Sequence, residues 1–408
     1  MSRTNSKNVT CDFCGRKVPT VPKIKEDLMF LGGIGDNFFL CGACVNNAKK
    51  VMSETDLDTH CGITTNKEEE ITPKLLKAKL DEWIIDQEVA KRTLSIAIYD
   101  HYKRINQSAD SNEQLPIEKS NILLAGSTGS GKSACVKALA KQLKLPLHID
   151  DATTITVSGY QGRNVEDMLS RLIAEADGDI ELAQKGIILL DEADKLKKAT
   201  SGNGGRDVKG EGVQQSILKM AEGGLFSVKY KGNEYTFDTT NVLFILAGAF
   251  DGIEKIIAKR LNSKTKTTGG FTGSIATRTE INYNDMIVQI HPEDLKEYGM
   301  MAELLGRFPI ITPLQELSEE ALVKILTKPK NAIIKQMVKS FALDNIELSF
   351  DEGALIQIAK QAKERKTGAR ALRSIVESVI ADAKYDCPGT NIAKVEVKDD
   401  LSLQYIEH

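Results

Sequence analysis

Short apolar runs alternate with amphipathic stretches through the middle of the chain. The runs are NILLAG, LPLHID, GIILLDEAD, NVLFILAGAF and RFPIITPL, and the segments between them place apolar residues at helical spacing. Continuous apolar strands between helices are typical of a parallel sheet that is covered on both faces. The pattern therefore predicts an α/β core.

The two ends of the chain follow other patterns. From about Ser318 amphipathic helices dominate, with a small strand pair expected at IELSF and AKVEVKD, so we expect a separate, mostly helical domain there. The first 50 or so residues hold paired cysteines and little helical periodicity, and a polar, acidic stretch follows them. We predict four segments: a cysteine-containing module at 1–52, a linker at 53–72, a large α/β domain at 73–316 and a helical domain at 317–408.

Composition narrows the class of protein. The chain has 408 residues, of which 41% are hydrophobic and 27% charged, as in soluble proteins with more than one core. Lys and Arg number 54 against 57 Asp and Glu, so the net charge of −3 gives no support to binding of nucleic acid or of an anionic membrane surface. No apolar run is long enough to span a bilayer, and MSRTNSKNVTCDF lacks the apolar core of a secretory signal. We therefore expect a cytoplasmic protein.

A phosphate-binding motif follows the first apolar run. Residues 126–133 fit G-x-x-x-x-G-K-[ST] and lead into the helical stretch SACVKALAKQL. The glycines let backbone N–H groups close around phosphates, the lysine neutralises their charge, and the serine hydroxyl faces Mg²⁺. The predicted nucleotide-binding residues are Gly126, Ser127, Thr128, Gly129, Ser130, Gly131, Lys132, Ser133 and Ala134.

Two carboxylates end a later apolar run. In GIILLDEAD, the strand delivers Asp191 and Glu192 to the edge of the sheet, where ligands of α/β proteins bind. We expect Asp191 to hold Mg²⁺, together with Ser133, and Glu192 to orient and polarise the attacking water. Such a strand end can also be merely solvated, but beside the phosphate loop it predicts ATP hydrolysis.

Four of the seven cysteines form two Cys-x-x-Cys pairs. Cys11 and Cys14, with Cys41 and Cys44, have the spacing of a tetrahedral structural zinc site. Four thiolates leave no open position for catalysis, so zinc would act by folding the module. The alternative is a chance pairing of cysteines.

Long stretches of the chain resemble the ClpX family of AAA+ ATPases, the ATP-binding unfoldase subunits of the Clp protease, which carry an N-terminal zinc-binding domain. Beyond LLAGSTGSGKS and GIILLDEADK, the resemblance rests on LDEWIIDQEVAKRTLSIAIYDHYKR, NVLFILAGAFDGIEKII, ELLGRFPIITPLQELSEEALVKIL and RKTGARALRSIVE. It covers nearly the whole chain. It implies a homohexameric ring with ATP sites at the subunit boundaries and a C-terminal lid domain.

The resemblance also implies roles for single residues. Arg307, in Gly-Arg-Phe-Pro, corresponds to an arginine that reaches a neighbour's ATP, although a surface arginine is the commoner case. Arg370, in KTGAR, corresponds to a lid arginine that touches the nucleotide of its own subunit, and a solvated helix face is the alternative. Ile84 and Ile85 match apolar contacts to adenine, or else simply pack in a helical core.

A short glycine-flanked loop is the expected substrate grip. Family members carry a Gly-Tyr-x-Gly loop that points into the axial pore, and here it is Gly159, Tyr160, Gln161 and Gly162, with Gln161 in place of the usual valine. An aromatic ring offers contact that tolerates any sequence, and flanking glycines let a loop swing. Ordinary half-burial is the alternative for a lone tyrosine.

Other positions depart from the family. The tip that docks on the ClpP peptidase keeps only Gly270 and Phe271 and lacks the preceding aliphatic residue, whose burial is worth about 1.5–3 kcal/mol. The second pore loop has Lys229 and Lys231 in place of a basic cluster with histidine. The segment between the cysteine pairs is also longer than expected of the family, so adaptor binding through this module can differ.

Four functions remain open at this point. The leading hypothesis is an ATP-dependent unfoldase that threads unfolded or tagged proteins through a hexameric pore and passes them to a ClpP-like peptidase. The second is a stand-alone remodeller of protein complexes, which the incomplete docking tip favours. A nucleic-acid motor is disfavoured by the near-neutral charge, and a nucleotide-binding scaffold would require an inert Glu192.

Overall fold

The computed structural model describes residues 71–106, 118–156, 163–197, 210–266, 282–365 and 367–407, together with four short strands near the amino terminus. The chain divides into two compact units, Met1–Glu69 and Glu70–His408. In the described parts of the chain, no helix has the length and apolarity needed to cross a bilayer.

The first unit contains two small antiparallel hairpins. Strand β1 (Asn8–Thr10) pairs with β2 (Lys17–Pro19), and β3 (Met29–Leu31) pairs with β4 (Phe39–Cys41). Cys11, Cys14 and Cys44 lie outside the described residues, as does the side chain of Cys41 at the end of β4. The zinc site stays a prediction.

A five-stranded parallel sheet forms the centre of the second unit. The strands are β5 (Ile122–Gly126), β6 (Leu147–Asp151), β9 (Ile187–Asp191), β12 (Leu243–Gly248) and β13 (Ile310–Leu314). Their spatial order is β13–β5–β12–β9–β6, and every neighbouring pair is parallel. The α/β fold predicted from the apolar runs is confirmed.

Both faces of this sheet are buried. Consecutive residues of β5, such as Leu123 and Leu124, enter two different hydrophobic clusters, because successive side chains of a strand point to opposite faces. Helices α1 (Pro73–Asp81), α2 (Glu88–Asn106) and α3 (Lys132–Leu143) cover one face. Other helices cover the opposite face: α4 (Asp167–Glu175), α5 (Ile180–Ala183), α6 (Glu211–Glu222), α7 (Ile253–Lys266), α8 (Tyr283–Ile287), α9 (Pro292–Tyr298) and α10 (Ala302–Gly306).

Helix α1 shows how local sequence sets these boundaries. The Thr72 hydroxyl accepts a hydrogen bond from Leu75 N at 3.2 Å, and Pro73 occupies the first turn, where no N–H is needed.

Two short strand pairs flank the main sheet: β7 (Ile155–Thr156) with β8 (Arg163–Asn164), and the antiparallel hairpin of β10 (Leu225–Tyr230) with β11 (Asn233–Asp238). Lys229 lies on β10, and Lys231 lies in the turn that joins β10 to β11.

The C-terminal region is mostly helical and carries one small sheet. Pro329 lies between the first two helices, so the long amphipathic stretch after Ser318 forms two helices. The helices are α11 (Glu319–Thr327), α12 (Ile333–Ala342), α13 (Glu352–Glu364), α14 (Arg370–Val379) and α15 (Ala381–Asp386). Strand β14 (Glu347–Phe350) pairs parallel with β15 (Ile392–Val397), which also pairs antiparallel with β16 (Leu403–Glu407). The sheet thus has three strands instead of the expected two.

Candidate nucleotide-hydrolysis site

The phosphate loop joins strand β5, between β13 and β12 in the sheet, to helix α3. Gly129 and Gly131 have φ values of 79° and 102°, a left-handed region that glycine enters without steric cost. Gly131 caps the first turn of α3, whose unpaired N–H groups form an anion-binding site. The loop therefore has the backbone geometry of a phosphate cradle.

Lys132 is the first residue of α3 and is only 8% exposed. Its Nζ donates hydrogen bonds to the carbonyl oxygens of Gly126 at 2.6 Å and Ser127 at 3.0 Å. Burial lowers the pKa of Lys132, and the negative charge of Asp191 opposes that shift. An anionic ligand in the loop would add to the effect of Asp191 and favour the charged amine.

Ser133 and Asp191 meet across the carboxyl end of the sheet. The Ser133 hydroxyl donates to Asp191 Oδ2 at 2.7 Å. Asp191 ends strand β9 and lies in register with Asp151 at the end of β6. Two hard oxygen ligands thus lie beside the phosphate loop, as a Mg²⁺ site requires.

Glu192 follows Asp191 in a strained conformation. Its φ is 56°, which is uncommon for a residue with a side chain, and its backbone N–H donates to Asp191 Oδ1 at 3.0 Å. Asp194, 1% exposed, fixes the next turn because its Oδ1 accepts from Ala249 N at 3.0 Å, beyond the end of β12. Strain of this kind persists where the surrounding structure enforces it, and it often marks active sites.

The C-terminal region contacts the phosphate loop through main-chain atoms. Ala369 N donates to Gly129 O at 3.3 Å, and a Cβ on Gly129 would lie 2.2 Å from Thr367 O. Gly368 has no room for a side chain either, because a Cβ there would lie 2.9 Å from Gly129 O. Arg370 opens helix α14 here, and its Nη2 lies 4.0 Å from Asp191 Oδ2.

Two cavities flank the loop. One, of about 410 Å³, is lined by Lys132, Ser133, Ala134, Ile149, Asp191 and Arg370, among others. The other, of about 430 Å³, lies between Thr128, Gly368 and the start of the C-terminal region at Glu316, Leu317 and Leu322. The first combines hydroxyl, carboxylate and basic groups, so it fits a phosphate chain with Mg²⁺. The second has an apolar side formed by Leu317 and Leu322.

Comparison with known proteins gives the family. Residues 117–311 match the AAA domain (Cdc48 subfamily), and residues 317–387 match the C-terminal, D2-small domain of ClpB protein. A Treponema denticola protein named ATP-dependent Clp protease ATP-binding subunit ClpX is 47% identical over 390 residues, which cover 93% of this chain and 90% of the relative. The chain belongs to the ClpX family.

Two further members are similar over most of their length. The ClpX of Bacteroides thetaiotaomicron is 40% identical over 417 residues, which cover 100% of this chain and 97% of the relative. That of Porphyromonas gingivalis is 41% identical over 388 residues, which cover 93% and 91%. The resemblance read from the motifs is confirmed, and this ClpX-family chain is an AAA+ ATPase. Membership implies ATP and Mg²⁺ as its cofactors.

The remaining predicted site residues of this ClpX-family chain lie away from the loop or outside the described residues. Ile84 packs against the hydrophobic cluster of helices α1 to α3, and neither it nor Ile85 lines the two cavities. Their contact with adenine stays a prediction. Gly159, Tyr160, Gln161 and Gly162, like Gly270 and Phe271, fall outside the described residues. Arg307 is exposed at the end of α10 and pairs with Glu222.

Gln87 is a site residue that the sequence did not reveal. Its Nε2 donates to Ser130 O at 3.2 Å and to Gln315 O at 2.8 Å, and its Oε1 accepts from Gln315 N at 3.0 Å. Gln87 is 6% exposed and has φ 60°, so both its burial and its backbone are unusual for glutamine. It connects the phosphate loop to the segment that enters the C-terminal region.

Proposed function

We propose that this chain is an ATP-driven protein unfoldase that forms a ring and moves polypeptides through its central pore. The observation that carries the proposal is the meeting of Ser133, Asp191 and Arg370 beside Lys132 in one cavity. The groups that we expect to bind nucleotide thus come from two regions of the chain, which supports a coupling between hydrolysis and movement of the C-terminal region.

The polar residues in and beside the cavity divide the tasks of hydrolysis. The loop N–H groups and Lys132 bind the phosphate chain, and Ser133 with Asp191 would hold Mg²⁺, which neutralises charge on the phosphate oxygens when bound. Glu192 orients the attacking water and accepts its proton. Arg370 approaches Asp191 from α14, so a contact with bound nucleotide would report nucleotide state to the C-terminal region.

The pore and ring assignments rest on the family. Tyr160, between Gly159 and Gly162, would grip the substrate, and Arg307 would reach the ATP of a neighbouring copy in a homohexamer. Lys229 lies on the β10–β11 hairpin, the element expected to form the second pore loop. Positive charge there favours substrates with acidic or carboxyl-terminal groups.

The test is ATP-dependent unfolding of a stable fluorescent protein, with ATP hydrolysis followed in parallel. We expect wild type to unfold the reporter, Tyr160→Ala to hydrolyse ATP without unfolding it, and Glu192→Gln to bind ATP without turnover. A matched control is Tyr385→Ala, because Tyr385 is an 88% exposed tyrosine of α15. Unfolding by Tyr160→Ala at the wild-type rate would reject the pore-loop assignment.

Peptidase delivery forms the last part of the proposed function. The similar proteins are named as subunits of the Clp protease, and we infer that this chain also docks on a ClpP-like peptidase through Gly270 and Phe271. Co-purification with the peptidase in the presence of ATP, compared between wild type and Phe271→Ala, tests this. A chain that unfolds proteins but never binds the peptidase would instead be a stand-alone remodeller.

The amino-terminal module completes the proposal. Cys11, Cys14, Cys41 and Cys44 would hold one structural Zn²⁺, and the module would receive substrates or adaptors. The four sulfur ligands suit zinc and leave no position for a catalytic water.

A further inference from the structure

Arg307 is held at a fixed place by two contacts, one to its side chain and one to its main chain. Its Nε and Nη2 lie 3.1 Å and 2.9 Å from the same oxygen, Oε1 of Glu222. Its carbonyl oxygen accepts a hydrogen bond from Asn121 Nδ2 at 2.9 Å. A surface arginine without a fixed role needs neither contact, so the two contacts together indicate that the position of Arg307 matters.

Asn121 connects Arg307 to the central sheet. Its side chain is 1% exposed and lies directly before strand β5. Besides bonding Arg307, Asn121 accepts from Phe244 N at 3.1 Å and reaches Ala221 O at 3.4 Å, at the end of helix α6. One buried amide thus joins β12, the end of α6 and the Arg307 turn, and networks of this kind fix geometry when every member has a partner.

Glu222 occupies a place where a carboxylate does not help its own helix. It is the last residue of α6, where the negative end of the helix dipole disfavours an acidic side chain by a few tenths of a kcal/mol. The pair also adds little to stability, because the side chains of Arg307 and Glu222 are 55% and 40% exposed and such pairs contribute about 0.2–1 kcal/mol. Stability of the fold therefore does not account for Glu222.

The contact leaves one edge of the guanidinium available. Glu222 takes the edge formed by Nε and Nη2, and among the described residues the structure gives Nη1 no hydrogen-bond partner. Phe308, the next residue, is fully buried in a hydrophobic cluster and anchors the turn. The guanidinium is therefore oriented, and its second edge points away from the carboxylate that holds the first.

We propose that Glu222 is a positioning residue for Arg307: it holds one edge of the guanidinium so that the other edge meets the terminal phosphate of ATP in a neighbouring copy of the chain. The proposal rests on the trans-acting role of Arg307 given above. It adds a residue that touches no nucleotide but sets the orientation of one that does. A preoriented donor stabilises developing charge better than one that must first be ordered.

The first measurement is ATP hydrolysis by Glu222→Ala, with Glu222→Gln as the conservative variant. Loss of a pair of this exposure corresponds to a decrease in kcat of about 1.4- to fivefold, with KM for ATP unchanged because the variant's own phosphate loop is intact. Glu222→Gln keeps an acceptor oxygen and is expected to lie between wild type and Glu222→Ala. The matched control is Glu303→Ala, an exposed glutamate of α10 that is expected to behave as wild type.

The second measurement separates positioning from a structural defect by mixing subunits. Glu192→Gln chains cannot hydrolyse ATP but supply an intact Arg307 to a neighbour. We therefore expect the rate per Glu222→Ala subunit to rise toward the wild-type rate as Glu192→Gln chains are added in excess, compared with wild type in the same mixtures. Size-exclusion chromatography of each mixture checks that assembly is equal.

Each outcome has one meaning. Rescue of Glu222→Ala in mixed rings supports the proposal. A wild-type kcat for Glu222→Ala, or a lowered kcat without rescue while Arg307→Ala is rescued, overturns it and leaves the role of Arg307 standing. If Arg307→Ala itself gains nothing from Glu192→Gln neighbours, the trans-acting role fails and the positioning role fails with it.

Discussion

Replacing Gly368 by alanine tests whether the C-terminal region and the phosphate loop act as one unit. Gly368 has φ 55°, and its added Cβ would lie 2.9 Å from Gly129 O and 3.0 Å from Thr128 O. Both neighbours are main-chain atoms, which cannot rotate away. Either the loop or the segment around Gly368 must therefore move.

The size of that movement follows from the distances. Ordinary contacts of a Cβ begin at 3.4 Å, so the backbone must yield by several tenths of an ångström. The nearby hydrogen bond from Ala369 N to Gly129 O, already 3.3 Å long, is then lost. One such bond contributes about 0.5–1.5 kcal/mol net, which corresponds to a decrease in ATP affinity of about two- to tenfold.

The assay is titration with a fluorescent ATP analogue, together with steady-state hydrolysis. Gly389→Ala is the matched control, because Gly389 has φ 79° in the same region but no atom within 4 Å of its added Cβ. Both variants carry the backbone cost of a left-handed alanine, about 1 kcal/mol of stability. If Gly368→Ala and Gly389→Ala bind and hydrolyse ATP equally, the loop and the C-terminal region are not coupled through this contact.

Three further predictions follow from other sites. Burial, and to a smaller extent the charge of Arg104, lowers the pKa of His101 from 6.5 to about 4. The unfolded chain therefore binds this proton more readily than the folded chain, and the free energy of unfolding decreases by an amount on the order of 3 kcal/mol as the pH falls from about 6.5 to 4. Denaturant midpoints at these two pH values should differ less for His101→Gln than for wild type. Gln87→Ala leaves the buried Ser130 carbonyl and Gln315 N–H without their partner, which costs about 1–3 kcal/mol; we expect a lower melting temperature and a smaller gain on adding ATP, and an unchanged gain would show that Gln87 does not brace the loop. Metal analysis should find one zinc per chain in wild type and in Cys61→Ser, and none in Cys44→Ser; equal zinc in all three would reject the four-cysteine site.

Local patterns were enough to predict the sheet and the phosphate loop. The run before Gly126 and the motif that ends at Ser133 lie within one continuous segment, and the apolar residues before Asp191 required that strand to be buried. The chemistry of these positions depends on residue type and short spacing, which a sequence displays directly.

Contacts between distant segments could not be predicted in this way. Gln87 meets Gln315, and Asn121 meets Arg307, across large separations in the chain, and no periodicity links either pair. Strand β16 was missed because its residues are largely exposed, so they lack the apolar alternation that marks a half-buried strand. Burial and pairing of this kind are properties of the folded chain.

The contact between Gly129 and Thr367 contains no side-chain atom, and this limits how the chain can be altered. A contact between side chains can be strengthened or weakened stepwise by substitution. Main-chain atoms are the same in every residue, so substitution cannot tune this contact in small steps. Selection for faster or slower ATP hydrolysis should therefore leave Gly129 and Gly368 unchanged. Substitutions should accumulate instead at surrounding side chains such as Gln87 and Arg370. The rate of the ATPase cycle would then evolve through the side chains around the phosphate loop, while the main-chain contact itself stays the same.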